Sequence, residues 1–171
     1  MRTDNVITVG LGELAISEDP SDVLTAFGLG SCLGIGAYAP AIGVGGLLHA
    51  MLPEYSKKED RLAPKYVDSG LLQLIKELEA KGAVREQLHI NMVGAANMIE
   101  MQGVPNQLKI GERNLEVAYR ILNELGLKIQ NEETGGTIGR TTRLYVETGA
   151  MTVRAMGKPE RPIGQSIPEP A

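Results

Sequence analysis

Apolar positions recur along this chain with two periods, and each period predicts its own kind of element. In the N-terminal third the apolar runs are short and broken by glycine, proline and polar clusters. Residues 7–9 and 14–16 read as short strands around the Gly10-Leu11-Gly12 turn. Residues 17–22 form a polar loop containing Pro20, and residues 23–27 read as a strand leading into Gly28-Leu29-Gly30-Ser31-Cys32. Residues 33–38 and 44–51 pair as a hairpin across Ala39-Pro40-Ala41. A charged loop follows over residues 53–65.

The period then lengthens. Over residues 68–80, Leu71, Leu72, Ile75 and Leu78 recur at helical spacing, and Gly82 stands where a C-terminal cap belongs. Residues 88–93 are the next strand, and residues 94–111 are loop-rich with a short helix near Met98. A second helix covers residues 112–125, with Leu115, Ala118, Ile121, Leu122 and Leu125 on its apolar side and Gly126 as its stop. Residues 127–131 are a strand, Thr134-Gly135-Gly136 opens a loop, and residues 143–147 and 151–155 form a hairpin across Thr148-Gly149. Two helix–Gly–strand units result, residues 68–93 and 112–131, a pattern compatible with an old duplication. Four of the nine prolines fall after Gly157. Residues 1–157 are therefore expected to form a single domain and residues 158–171 a Pro-rich, disordered tail.

Composition narrows the function. With 171 residues, 43% of them hydrophobic and 22% charged, the chain can bury a core without metals or disulfides. A net charge of −4, no Trp and one Phe argue against a nucleic-acid partner, which needs a basic face and stacking rings. One Cys and two His exclude an internal disulfide and make a structural zinc site improbable, so no metal is expected. Residues 23–53 carry no Asp, Glu, Lys or Arg, yet seven glycines, Pro40 and His49 are unsuited to a lipid-exposed helix. Buried strands explain the run better. No secretory signal is legible, and the unpaired thiol completes the expectation of a cytoplasmic protein without membrane insertion.

The candidate chemistry centres on one thiol. Gly10-Leu11-Gly12-Glu13-Leu14-Ala15 fits a dinucleotide fingerprint by letters, but Pro20 and the polar loop leave no room for the helix that fingerprint needs. No phosphate-binding G-x-x-x-x-G-K-[ST] and no H-E-x-x-H occurs. Cys32 follows Gly28 and Gly30 in a turn with little side-chain bulk, where N–H groups can stay unpaired and hold an oxyanion. A free thiol is most often a small buried hydrophobe. That reading weakens here because His49 lies in an apolar strand beside it, and a thiol nucleophile needs a base. Gly28, Gly30 and Ser31 are the candidates for oxyanion and pocket. His89 is assigned nothing. Asn97, Arg113, Asn114, Thr134, Thr137, Arg140 and Thr141 could shape a pocket, although turn chemistry is the commoner use of such residues.

These residues resemble a known family. Gly28-Leu29-Gly30-Ser31-Cys32 with His49-Ala50-Met51-Leu52-Pro53 seventeen residues on is similar to the CheD family of bacterial chemoreceptor glutamine deamidases. Lys65-Tyr66-Val67-Asp68 resembles its K-Y-x-D, Gly94-Ala95-Ala96-Asn97-Met98 its G-G-A-x-M, and Ile110-Gly111-Glu112-Arg113-Asn114 its I-G-x-R-N. Thr134-Gly135-Gly136 with Gly139-Arg140 resembles its late Gly-Gly loop, so the likeness runs over residues 6–157.

The resemblance implies an α+β fold: a layered α/β/β arrangement of mixed sheets with two main helices. It implies a cofactor-free cysteine amidohydrolase that converts glutamines on the cytoplasmic helices of chemoreceptors to glutamates and also hydrolyses glutamate methyl esters. It implies a CheC-type phosphatase as a second protein partner. By carry-over Cys32 is the nucleophile and His49 the general base. The family's third catalytic member, a threonine six residues before the cysteine, is Ala26 here, and Thr25 stands one residue earlier. Adjacent strand residues face opposite ways, so Thr25 orients His49 only if a bulge re-aims it. A backbone carbonyl is the other candidate. Ala95, Ile99 and Thr137 depart from the family's Gly, Phe and Asn. The alternative from another class is a regulator that keeps the fold and docks on receptors or the phosphatase with little turnover, and Ala26 is what favours it.

Overall fold

The protein's structure, a computed structural model, describes residues 3–55, 63–97 and 109–164. Ten strands and two helices alternate as β1 (Asn5–Thr8), β2 (Glu13–Ser17), β3 (Asp22–Leu29), β4 (Leu33–Ala39), β5 (Val44–Ala50), α1 (Val67–Ala80), β6 (His89–Gly94), α2 (Ile110–Glu124), β7 (Ile129–Thr134), β8 (Arg140–Tyr145), β9 (Met151–Ala155) and β10 (Arg161–Pro162). They form two five-stranded sheets, β1-β3-β8-β9-β10 and β2-β5-β4-β6-β7. Both are mixed: β1 runs parallel to β3 and β6 parallel to β7, while the other pairs are antiparallel.

The alternation of side chains along β4 and β5 builds three layers. Leu33, Ile35, Ala37, Leu48 and Ala50 point to one face, where Leu71, Leu74, Ile75 and Leu78 of α1 and Val117, Ala118, Ile121 and Leu122 of α2 cover them. Tyr38 and Leu47 point to the other face and meet Leu24, Ala26, Leu144, Met151 and Val153 of the first sheet. The central sheet is thus apolar on both sides, which is why residues 23–53 carry no charge. Gly36 lets the sheets approach, since a Cβ there would run into Met151 and Leu144. The α/β/β layering is the arrangement expected, and no described helix is long and apolar enough to cross a membrane.

The boundaries differ in instructive ways. Strands β1 and β2, read as neighbours around a turn, lie in different sheets. Leu72, placed on the apolar face of α1, is exposed, because Leu71, Leu74, Ile75 and Leu78 already complete the buried stripe. Strand β7 runs on through Thr134, and β8 begins at Arg140 instead of residue 143. The turn at residues 10–15 passes into β2, not into a helix, so the dinucleotide match has no structural basis. The short helix near Met98 and most of the charged loop fall outside the described residues.

The tail also needs correction. The Gly157 boundary is too early, because Arg161–Pro162 adds a strand to β9 and Ile163 is buried in the inter-sheet core. Its backbone N–H donates to Met151 O at 3.1 Å, and Arg161 pairs with Glu133 at 2.8 Å. Proline density misled here because one proline at a sheet edge costs no ladder bond. Ile163→Ala is expected to cost about 2 kcal/mol, the low end for a large-to-small core substitution. Urea denaturation of the variant measures it, and a tail residue would show no shift.

Candidate active site

Cys32 lies in the loop that carries the chain from β3 in one sheet to β4 in the other, and it packs half-buried against the inter-sheet core. His49 is near the end of β5, opposite Gly34 of β4 and Glu13 of β2. Cys32 directly precedes β4 and packs on the inter-sheet face, the face on which Leu47, two residues before His49, also lies.

The loop's backbone is held in an unusual way. Gly30 O accepts from Ala96 N at 2.8 Å, Cys32 O from Ala95 N at 2.8 Å, and Ser31 O from Asn114 Nδ2 at 2.9 Å. Three consecutive carbonyls are thus tied down, while the N–H groups of Gly30 and Ser31 have no acceptor among the described residues and that of Cys32 faces its own sulfur. Unpaired N–H groups beside a nucleophile are what an oxyanion requires. Gly28 contributes differently: its N–H leans toward Thr141 Oγ1 at 3.4 Å and its φ of 61° sets the bend.

The later motifs converge on this loop. Gly94 ends β6 at φ 115° and Ala95 follows at φ 54°, which turns two successive N–H groups toward the Cys32 loop. The Gly94 carbonyl accepts from Gly135 N at 3.0 Å and from Arg140 Nη1 at 3.3 Å, and Arg140 also reaches Gly135 O at 2.8 Å. Asn97 N donates to Gly136 O at 2.9 Å. Gly111 of α2 lies against the Ala95 and Ala96 carbonyls, and a Cβ there would come to 2.8 Å of both oxygens. Asn114, fully buried on α2, bridges Ser31 O and Met51 O at 2.9 and 3.2 Å. It therefore joins the loop of the thiol to the strand end that follows the imidazole. Lys65 O accepts from Met51 N and Leu52 N, which anchors the same strand end from outside. Of the remaining pocket candidates, Thr134 closes β7, and Arg113 and Thr137 are exposed.

Two features needed the structure. The first is which group orients His49: a backbone carbonyl, as the sequence allowed, and that of Val9. Its Nδ1 lies 2.9 Å from Val9 O, and a carbonyl only accepts, so Nδ1 carries the proton and Nε2 is the bare nitrogen. Nε2 is buried without a hydrogen-bond partner among the described residues. Thr25, the residue considered for this task, does not do it through its side chain: its hydroxyl donates to Val23 O at 3.2 Å, and the bulge in β3 comes after Ala26. Thr25 acts through its backbone, because its carbonyl accepts from Val9 N at 2.8 Å and so holds the carbonyl donor-acceptor chain to His49. The second is Asn114, whose motif was visible but whose role needs the fold.

Electrostatics set the resting state. Burial pushes the Cys32 thiol above its ordinary 9.0, opposed by its own backbone amide. Burial pushes His49 below its ordinary 6.5, opposed by the Val9 carbonyl and the Glu13 carboxylate. At neutral pH the pair is thiol and neutral imidazole, so a depressed thiol pKa, the mark expected of a reactive cysteine, is not found. Among the described residues no cluster of His, Cys, Asp and Glu could hold a metal ion.

Known proteins share this chain's sequence over most of its length. The family described as CheD chemotactic sensory transduction matches residues 51–155. The probable chemoreceptor glutamine deamidase CheD of Symbiobacterium thermophilum is 39% identical over 154 residues, covering 89% of this chain and 93% of that protein. This chain belongs to the CheD family. A CheD relative from Pyrococcus abyssi, also named a probable chemoreceptor glutamine deamidase, is 42% identical over 86% of this chain and 90% of its own. The chemoreceptor glutamine deamidase CheD of Thermotoga maritima is 36% identical over 90% of this chain and 94% of its own. Among solved structures, YlmD from Geobacillus stearothermophilus matches with a TM-score of 0.47 at 12% identity, over 72% of this chain and 50% of its own. Bacillus licheniformis YfiH matches with a TM-score of 0.44 at 12% identity, over 80% of this chain and 60% of its own. Likenesses that low bear on neither fold nor chemistry.

The bracing around Cys32 in this CheD chain makes a sharp expectation. In Gly94→Ala the new Cβ would strike Cys32 O and sit at an unfavourable φ. A loss of about 2–3 kcal/mol follows in urea denaturation, together with a changed alkylation rate of the sole thiol. Ala95→Gly relieves backbone strain and loses one buried methyl, so it shifts stability by no more than about 1 kcal/mol.

Proposed function

We propose that this protein is a protein-glutamine deamidase acting on chemoreceptors, with Cys32 as nucleophile and His49 as general base. The observation that carries this reading is the His49 ring, fixed by Val9 O through Nδ1 with a bare Nε2 on the face of Cys32. Family membership supports the substrate: the relatives bear the name chemoreceptor glutamine deamidase.

The reaction then follows from a neutral pair. His49 Nε2 takes the Cys32 proton as sulfur attacks the carbonyl carbon of a glutamine side chain, and the C–S bond forms. The carbonyl oxygen becomes an oxyanion, which the N–H groups of Gly30, Ser31 and Cys32 receive; each such donor is worth about 3–4 kcal/mol in well-studied hydrolases. The imidazolium returns its proton to the departing nitrogen, and ammonia leaves a thioester. Water, deprotonated by His49, cleaves the thioester to glutamate and free thiol. A glutamate methyl ester enters the same route with methanol leaving. Ala26 does not stand against this, because the Val9 carbonyl supplies the orientation that the family's threonine gives elsewhere. The CheC-type phosphatase remains part of the proposal as a second partner at the cytoplasmic face of the pathway, where it would compete for the surface around Cys32.

Intact mass of a receptor cytoplasmic fragment tests the reading. The unmutated protein is expected to add about one dalton per glutamine converted, and Cys32→Ala is expected to lose at least about a thousandfold in rate. Full turnover by Cys32→Ala sinks the assignment.

The pH dependence follows from the two shifts. The base works only as neutral imidazole, and burial lowers its pKa, so the acid limb of kcat/KM lies below pH 6.5. Iodoacetamide alkylation of Cys32 in the free protein is expected to keep rising past pH 9.0, because the thiol ionises late. A plateau near pH 6 in that profile would mean a thiolate–imidazolium pair at rest and contradict the mechanism.

A further inference from the structure

A groove of about 280 Å3 opens beside the nucleophile loop, between the end of β3 and the facing ends of β8 and β9. Gly28 and Gly30 form its wall on the loop side, Arg140 and Arg154 bring two guanidinium groups, and Met156 lines it with an exposed apolar side chain. Gly30 is two residues from Cys32, so its Cα lies at most about 7 Å from the nucleophile's Cα. The groove therefore borders the loop that carries Cys32.

Its charge is out of keeping with the rest of the chain, whose net charge is −4. The neighbouring Arg143 and Arg161 are paired with Glu160 and Glu133 at 3.8 and 2.8 Å. Arg140 and Arg154 form no salt bridge among the described residues. Arg140 is fixed in place by the Gly94 and Gly135 carbonyls, and Arg154 Nε donates to Lys158 O at 3.2 Å. Two arginines braced by carbonyls, each within the field of a carboxylate (Glu133 and Glu160) but ion-paired with neither, are arranged to receive a further one.

We propose that this groove is a substrate subsite that takes a glutamate carboxylate lying one helical turn from the glutamine presented to Cys32. The proposal rests on the deamidase reading and extends it to substrate recognition. Residues one turn apart on a helix have Cβ atoms about 5–6 Å apart, and Gly30 of the groove wall is two residues from Cys32. Met156 then packs on the aliphatic part of the same helix. The chemistry adds a consequence: each turnover creates a glutamate, so a converted position becomes the anchor for a second glutamine one turn away. A segment with several glutamines would be deamidated in order, the first slowly and its neighbour faster.

The test uses synthetic helical peptides with one glutamine and either glutamate or alanine one turn before or after it. With the full chain, the best glutamate peptide is expected to exceed its alanine counterpart about tenfold in kcat/KM. Arg154→Gln is expected to erase this preference, Arg154→Glu to reverse it and Arg154→Lys to recover part of it. Arg154 is exposed, so these variants are expected to melt with the unmutated protein. A preference unchanged in Arg154→Gln, or no preference in the unmutated protein, overturns the proposal. If no peptide is turned over, the deamidase reading has failed in this assay and the subsite is read by binding alone. Fluorescence anisotropy with Cys32→Ala should then show tighter binding of the glutamate peptide, lost when Arg154→Gln is added. Equal binding of both peptides, or none, overturns the subsite.

Discussion

Three carbonyl groups in a row, those of Gly30, Ser31 and Cys32, are each held by a donor from outside their own loop. Everything else in the site depends on that arrangement. A peptide unit whose C=O is fixed on one side presents the next N–H on the other, so tying the carbonyls inward aims the amides outward beside the sulfur. Burying such a loop without these partners would leave unsatisfied carbonyls at a cost of about 1–3 kcal/mol each. The family motifs that looked unrelated along the chain are the donors and the braces behind them. Ala95 and Ala96 give N–H groups, Asn114 gives an amide, and Gly111 and Arg140 hold the β6 exit in the conformation that delivers them.

The second constraint is that the site spans both sheets. Cys32 leaves the first sheet, His49 belongs to the second, and Val9 O reaches from the end of the first to the imidazole. This division bears on Ala26. Where a side-chain hydroxyl would have oriented the ring, a main-chain carbonyl does so, and Thr25 holds that carbonyl's residue through its own backbone. Backbone acceptors carry no signature in the sequence, so no motif could display which carbonyl holds the ring.

The resting pair is neutral because both groups are withdrawn from solvent. His49 is only 2% exposed, and Cys32 is half-buried under the inter-sheet core. Burial disfavours both charged forms, raising the thiol and lowering the imidazole, so charge appears only when substrate supplies a carbonyl to receive it. In the proposed mechanism the loop amides then act on the developing charge instead of on a resting thiolate.

Local pattern was enough for much of this chain. Apolar runs broken by glycine and proline marked β3, β4 and β5, the 3.6-residue stripe and Gly126 bounded α2, and the Gly28–Cys32 and His49 segments identified the family and its candidate pair. These features depend on neighbours in sequence. The tertiary structure decided the rest. It separated β1 from β2, added β10 from a stretch whose prolines suggested disorder, exposed Leu72, and gave Asn114 and Val9 their tasks. Asn114 acts across 83 residues and Val9 across 40. Contacts of that span follow from how the layers stack, and the residues that make them, an amide on a helix and a plain main-chain carbonyl, look the same in sequence whether or not anything lies opposite.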